Sequence, residues 1–164
     1  MESPKIELFD RTRENVEIYF YKTQNEEIRR MLPSAITTLE QAMAAYDKAI
    51  LPGSSSMGRS IYFEGQYIGD VWCYGINKSD VPNAMLSYCI FEKTLWGRGI
   101  AAAAVKMFLV CAGQRLSIRS MGAFTYADNI GSLRVLEKNG FLCRERFTED
   151  GRESVYYELS QIIF

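Results

Sequence analysis

The run Leu95-Trp96-Gly97-Arg98-Gly99-Ile100-Ala101 continues as Ala102-Ala103-Ala104-Val105-Lys106-Met107-Phe108 and sets a strand-to-helix junction in mid-chain. Before it, Ala84 to Phe91 alternates like a strand. After it, Ile100, Ala103, Ala104, Met107, Phe108 and Cys111 recur at steps of three and four, one apolar face of a helix ending near Gly113. Met121 to Thr125 then reads as a short buried strand. Strand, helix and strand in this order form a right-handed parallel crossover. The chain is thereby committed to a sheet with a parallel pair and a helix packed over it.

The junction also has a chemical meaning. A helix N-terminus leaves backbone N–H groups without partners, and the positive end of the helix dipole adds to them. Glycines and alanines let a ligand approach that backbone closely. Such a site suits a phosphate or pyrophosphate.

The remaining elements surround this unit. Lys5 to Phe9 reads as a first strand, and Arg13 to Tyr21 as a helix. Asn25 to Leu32 is helical up to Pro33. Thr37 to Ile50 is a third helix, capped by Thr37 or Thr38. Leu51 to Gly58 is a loop. Ser60 to Phe63 and Gln66 to Tyr74 are strands joined by a tight Glu64-Gly65 turn. Ile130, Leu133 and Leu136 define a helix stopped by Asn139-Gly140. Leu142 to Phe147 and Ser154 to Leu159 are closing strands around Asp150-Gly151. No repeat or linker interrupts residues 1–164, which predicts one α/β (α+β) domain: a mixed, mostly antiparallel sheet with helices on both faces.

Composition narrows the function. Hydrophobic residues make up 48% and charged residues 24%, enough for a packed core. Nineteen basic residues balance 20 acidic ones, which argues against direct nucleic-acid binding. No apolar run approaches the roughly 18 residues that span a bilayer, and the start lacks a signal-peptide pattern. Cys73, Cys89, Cys111 and Cys143 are too scattered for a metal site and read as reduced core thiols of a cytoplasmic protein. The chain has no histidine, which excludes a Ser-His or Cys-His nucleophile pair.

Familiar phosphate loops do not match. Gly99-Ile100-Ala101 lacks the Gly-Lys-Ser/Thr ending of a Walker loop. A dinucleotide fingerprint needs a third glycine where Ala102 stands. A second segment decides the matter: Asn129-Ile130-Gly131-Ser132, then Val135-Leu136-Glu137-Lys138, then Gly140-Phe141. With Trp96-x-x-Gly99-x-Ala101 it resembles the signatures of the GNAT acetyltransferase superfamily, above all its ribosomal-protein N-terminal acetyltransferase (RimJ/RimL-like) branch. The resemblance spans roughly Gly69 to Leu159.

What the resemblance implies can be stated by residue. The sheet holds a central splayed parallel pair. Acetyl-CoA is the co-substrate, and no metal is involved. Its pyrophosphate meets backbone N–H groups of Gly97, Arg98, Gly99, Ile100, Ala101 and Ala102, with Trp96 opening the loop and the Arg98 side chain adding contacts. Its pantetheine arm pairs with the strand at Cys89, Ile90 and Phe91. Asn129 contacts pantetheine or orders the loop, although it also suits an N-cap. Ser132 stands near the thioester, and Lys138 faces either solvent or a phosphate. A backbone N–H near Ile90 or Phe91 stabilises the oxyanion.

The acceptor is a small-molecule amine or a protein N-terminus, and a homodimer is left open. The usual glutamate base position holds Met85, and the usual tyrosine acid position holds Leu136. Asp70 and Glu92 are alternative bases through a water, and Ser132 and Tyr126 alternative acids. A dedicated base matters most for lysine-like amines, so its absence favours an α-amine. The rival reading is a CoA-binding sensor or interaction module without catalysis. Selectivity falls to Glu26 to Ile50, Leu51 to Gly58 and Thr148 to Glu153.

Overall fold

Seven strands form one sheet in the order β1-β2-β3-β4-β5-β7-β6, as seen in a computed structural model describing residues 4–162. The strands are β1 (Ile6–Asp10), β2 (Met57–Phe63), β3 (Gln66–Asn77), β4 (Asn83–Ile90), β5 (Ser120–Tyr126), β6 (Leu142–Glu149) and β7 (Arg152–Leu159). The helices are α1 (Arg13–Lys22), α2 (Glu26–Met31), α3 (Leu39–Ala49), α4 (Ile100–Leu116) and α5 (Ile130–Lys138), with a single 3₁₀ turn at Lys93–Leu95. All neighbouring strands are antiparallel except β4 and β5. The expected mixed sheet and element order are both present.

Local chemistry sets the boundaries. Thr38 caps α3 in a capping box with Gln41, and Asn25 caps α2 through the N–H groups of Glu27 and Ile28. Glu64 and Gly65 both take positive φ, as do Asp150 and Gly151, which matches the twist of tight hairpins.

Two expectations need correction. Helix α4 runs past Gly113 to Leu116 and ends only where Ser117 turns left-handed. Gly113 is buried inside the helix, so it is a packing residue and not a stop. Cys143 is exposed and is no core thiol, because β6 is an edge strand with little covering it.

The larger core lies under α4. Ala104, Val105, Phe108 and Ala112 are fully buried against Ile61, Val71, Cys73, Leu86 and Met121. Burial of this kind contributes about 1.5–3 kcal/mol for each large apolar side chain. The opposite face carries a smaller cluster, in which Ile28 of α2 meets Cys89 and Phe91, with Tyr19 of α1 against them. Helices therefore cover both faces of the N-terminal half of the sheet.

Candidate active site

The parallel pairing of β4 and β5 is short. Asn83, Ala84 and Met85 pair with Ser120, Met121 and Gly122, and no pair follows. From Leu86 onward the two strands part. The β3–β4 register runs unbroken from Gly69/Ile90 to Tyr74/Met85. The Phe91 N–H donates to the Ile68 carbonyl at 2.9 Å, toward β3. Successive residues of a strand turn their backbone groups to opposite edges. Leu86, Tyr88 and Ile90 therefore aim theirs into the gap on the β5 side. The Ile90 carbonyl accepts from the Trp96 indole Nε1 at 2.8 Å, while among the described residues no strand pairs with its N–H across the gap.

Gly69 helps to set this edge. A Cβ there would lie 2.1 Å from the Cys89 carbonyl oxygen and 2.9 Å from the Ile90 Cα. Only glycine lets β3 approach β4 this closely where the strands part.

The gap opens into a cleft of about 500 Å³. One end is formed by Trp96, Gly97, Gly99 and the first turn of α4. Gly97 and Gly99 hold φ 76° and 78°, with open space where a Cβ would stand. Gly99 caps α4 without a side chain, and the first bond of the helix is Ala103 N–H to Gly99 carbonyl at 3.2 Å. The N–H groups of the first turn are thus presented to the cleft with no acidic residue beside them. Arg134 and Lys138 line the same cleft, one helical turn apart on α5. The Asn139 side chain donates to the Ala102 carbonyl at 3.1 Å and ties the end of α5 to the start of α4.

Two hydroxyls of the cleft lining face each other. Tyr88 of β4 and Ser132 of α5 approach to 2.7 Å between Oη and Oγ, and Tyr88 also reaches the Ser132 carbonyl at 3.2 Å. Burial pushes the Tyr88 phenol up to about 12, with the Ser132 hydrogen bond opposing. The other end is walled by Ile28, Met31, Leu32 and Phe124. Its carboxylates, Glu27 and Asp128, are ion-paired with Lys93 at 2.7 Å and Arg152 at 3.2 Å. The hydrogen bond from Lys93 holds the exposed Glu27 carboxyl below its usual range.

The GNAT acetyltransferase domain model matches residues 8–142. The chain belongs to the GNAT acetyltransferase family. Among solved structures, a spermidine N-acetyltransferase from Vibrio cholerae with CoA and spermine aligns over 95% of each chain at 15% identity, TM-score 0.84. RimL, a ribosomal L7/L12 α-N-protein acetyltransferase with CoA, aligns over 97% of this chain and 96% of its own at 17% identity, TM-score 0.82. Aminoglycoside acetyltransferase AAC(6')-Ib with CoA aligns over 95% of each at 16% identity, TM-score 0.77. No curated protein sequence matches. Likeness at these identities is likeness of fold.

Cys89, Ile90, Trp96, Gly97, Gly99, Ile100, Ala101, Ala102, Asn129 and Ser132 of this acetyltransferase all line the cleft. Asn129 is the N-cap of α5, accepting from the Ser132 N–H at 3.2 Å, as one of its two sequence readings expects. Other expected residues stand off the lining. Phe91 turns into the smaller core, and its N–H is committed to Ile68. Arg98 lies over the Phe63 ring at 5.3 Å. The Tyr126 ring lies under the Arg152 guanidinium at 3.4 Å. Glu92 pairs with Lys22 on the surface.

Asp70 is 1% exposed. Arg11 Nε lies 3.1 Å from its Oδ2, and Tyr67 donates to its Oδ1 at 2.6 Å. Burial raises its carboxyl pKa, opposed by Arg11, Tyr67 and Ser60. The Asn15 amide extends this network, donating to Ser60 at 3.2 Å and Tyr62 at 2.9 Å. The group anchors α1 to the sheet, away from the cleft. Of the expected selectivity walls, only α2 with Leu32 lines the cleft, and Arg152 donates to the Arg30 carbonyl behind it. Met85 faces a separate hollow beside Gly122 and Tyr156, whereas Leu136 lies in the cleft wall.

Sequence reasoning passed over Tyr88 and Arg134. A signal existed for each. Leu86, Tyr88 and Ile90 share one strand face, and a tyrosine among inward positions needs a polar partner for its hydroxyl. Arg134 and Lys138 share one helix stripe, but the stripe's direction becomes visible only when α5 is docked.

Proposed function

We propose that this acetyltransferase moves the acetyl group of acetyl-CoA to a primary amine of low basicity, above all a peptide α-amine. The first turn of α4 with Arg134 and Lys138 holds the phosphates. The β4 edge from Leu86 to Ile90 pairs with the amides of pantetheine. The amine nitrogen attacks the thioester carbon, and the Ile90 N–H stabilises the oxyanion. The C–S bond then breaks, CoA leaves as a thiolate, and the ammonium proton passes to water.

One observation carries the acceptor class: among the described residues, the only carboxylates lining the cleft, Glu27 and Asp128, are both neutralised by ion pairs. The Lys93 hydrogen bond moves the Glu27 carboxyl away from the raised range of a general base. At pH 7 an α-amine with pKa near 7.8 is neutral about one time in seven, while a lysine near 10.4 is neutral only about once in a few thousand. The apolar wall of Ile28, Met31, Leu32 and Phe124 further supports an acceptor with an apolar group beside its amine. RimL acts on a protein α-amine, as its description states.

No described helix is long and apolar enough to cross a membrane. The cysteines are all free thiols, which supports a reducing, cytoplasmic setting. Acetyl-CoA turnover against a panel of α-amine peptides, lysine peptides and polyamines tests the proposal. Faster turnover of α-amine peptides at pH 7, levelling off above about pH 8, is expected. Preference for a lysine peptide or a polyamine at that pH refutes it. Tight CoA binding with no turnover on any acceptor points instead to the binding module.

A further inference from the structure

One guanidinium joins three segments at the end of the cleft away from α4. The positive-φ pair Asp150-Gly151 turns the chain tightly, so β7 opens on Arg152 opposite Glu149. Side chains alternate along a strand, so Arg152 shares a face with Tyr156, whose ring stacks beside Phe124 of the cleft wall. From there Arg152 reaches the rim. Its Nη1 donates to the Arg30 carbonyl at 2.8 Å, and its Nη2 lies 3.8 Å from the Met31 Sδ. Nη2 also donates to Asp128 Oδ1 at 3.2 Å, and the guanidinium carbon lies 3.4 Å over the Tyr126 ring. Arg30 and Met31 end α2, Tyr126 ends β5, and Asp128 stands in the turn before α5.

Resting on the acceptor class proposed above, we infer that Arg152 is a positioning residue that sets specificity and closes the cleft to acceptors carrying a second cation. It acts through Asp128. That carboxylate lines the cleft and is a natural counter-ion for the second ammonium of a diamine or polyamine. Glu27 is already paired with Lys93 at 2.7 Å, so Asp128 is the carboxylate whose availability Arg152 decides.

The contacts explain why this cation stays in place. A guanidinium keeps its proton at any working pH, and its donors form a rigid planar fork. The Arg30 carbonyl, the Met31 sulfur and the Tyr126 ring hold it without help from Asp128. An exposed ion pair held only by its own two charges is weak, and an incoming ammonium exchanges with it readily. It competes poorly with a cation that three further groups retain. A second ammonium therefore meets a carboxylate already matched and a positive charge beside it. An acceptor with one amine and an apolar neighbour loses nothing, and discrimination is the difference between the two.

The test is a competition at pH 7 between an α-amine peptide and a linear diamine, with saturating acetyl-CoA. The product ratio gives the ratio of their kcat/KM values. It is measured in wild type, Arg152→Gln, Asp128→Asn and the double variant. Arg152→Gln removes the charge and is expected to move the ratio about tenfold toward the diamine. Adding Asp128→Asn returns it to within about threefold of wild type. CoA affinity by calorimetry stays within about threefold throughout, because the contacts of Arg152 lie on α2, Tyr126 and Asp128. A residue that only braced the wall would lower turnover of both acceptors together and leave their ratio alone.

An unchanged ratio in folded Arg152→Gln overturns the inference, and so does a shift that Asp128→Asn fails to reverse. In both cases the α-amine preference of the wild type still stands. Wild-type preference for the diamine overturns the acceptor reading and the inference with it. If Arg152→Gln does not fold, Asp128→Asn alone decides. It leaves the Arg152 charge uncompensated and should move the ratio several-fold against the diamine, and no movement overturns the inference.

Discussion

Gly99 offers the sharpest separation of backbone from charge. It caps α4 at φ 78°, and a Cβ there would meet nothing within 4 Å. Gly99→Ala therefore carries only the left-handed penalty of about 1–2 kcal/mol. In a chain of this size each kcal/mol lowers Tm by roughly 2–4 °C. Gly99→Glu carries the same penalty and places an anion before the free N–H groups of Ile100, Ala101 and Ala102. In the ligand-free protein that anion is favourable to the helix by about 0.3–1 kcal/mol, so the Glu variant should melt at or slightly above the Ala variant.

With CoA the order reverses. A carboxylate about 5 Å from a pyrophosphate bearing about two charges is repelled by about 1.7 kcal/mol in water, and by several times more in a partly dry cleft. The expected loss of CoA affinity is therefore more than about tenfold relative to Gly99→Ala. Calorimetry at low and high salt, with melting curves on the same samples, measures both effects. The gap between the variants should narrow with salt. Equal CoA affinity in two folded variants, within about threefold, refutes the placement of the phosphates at this helix start.

Other expectations test the surroundings. Gly69→Ala forces a Cβ to within 2.1 Å of the Cys89 carbonyl, so β4 must shift at Ile90. A loss of about 1–3 kcal/mol in urea denaturation is expected, with weaker CoA binding, and a neutral result refutes the close-approach argument. Arg134→Ala with Lys138→Ala should weaken CoA binding and flatten its salt dependence, while an unchanged salt slope would remove both from the phosphate end.

Asp70→Asn should destabilise the fold because a buried amide cannot reproduce the carboxyl's contacts with Arg11 and Tyr67. Burial raises the Asp70 carboxyl, so the folded state favours the proton. That stabilisation is complete below the ordinary value near 3.8 and is lost as pH rises through the raised value. The stability gap between wild type and Asp70→Asn should accordingly shrink as pH climbs from about 4 to 7. A widening gap would mean that the Arg11 ion pair outweighs burial.

Much of this protein was legible in the chain because short-range chemistry decides it. The period-two runs, the paired turn residues at 64–65 and 150–151, and the Asn25, Thr38 and Asn129 caps are each set within a few residues. The glycine loop and the Asn129 to Phe141 segment identified the family for the same reason, since each motif is one contiguous turn and helix start.

What depends on approach between distant segments could not be read there. Asp70 seemed a polar residue free to act, and only the packing of Arg11, Tyr67 and Ser60 around it made it an anchor. Phe91 carried a backbone N–H like its neighbours, and the strand register alone turned it toward β3. Tyr88 and Ser132 are 44 residues apart and meet through the docking of α5 across the parted strands. A sequence states which groups a residue carries and how its own turn or strand bends. Which distant partners consume those groups, and which are left for a substrate, is decided when the faces pack, because hydrogen bonds and charge pairs act only over a few ångströms.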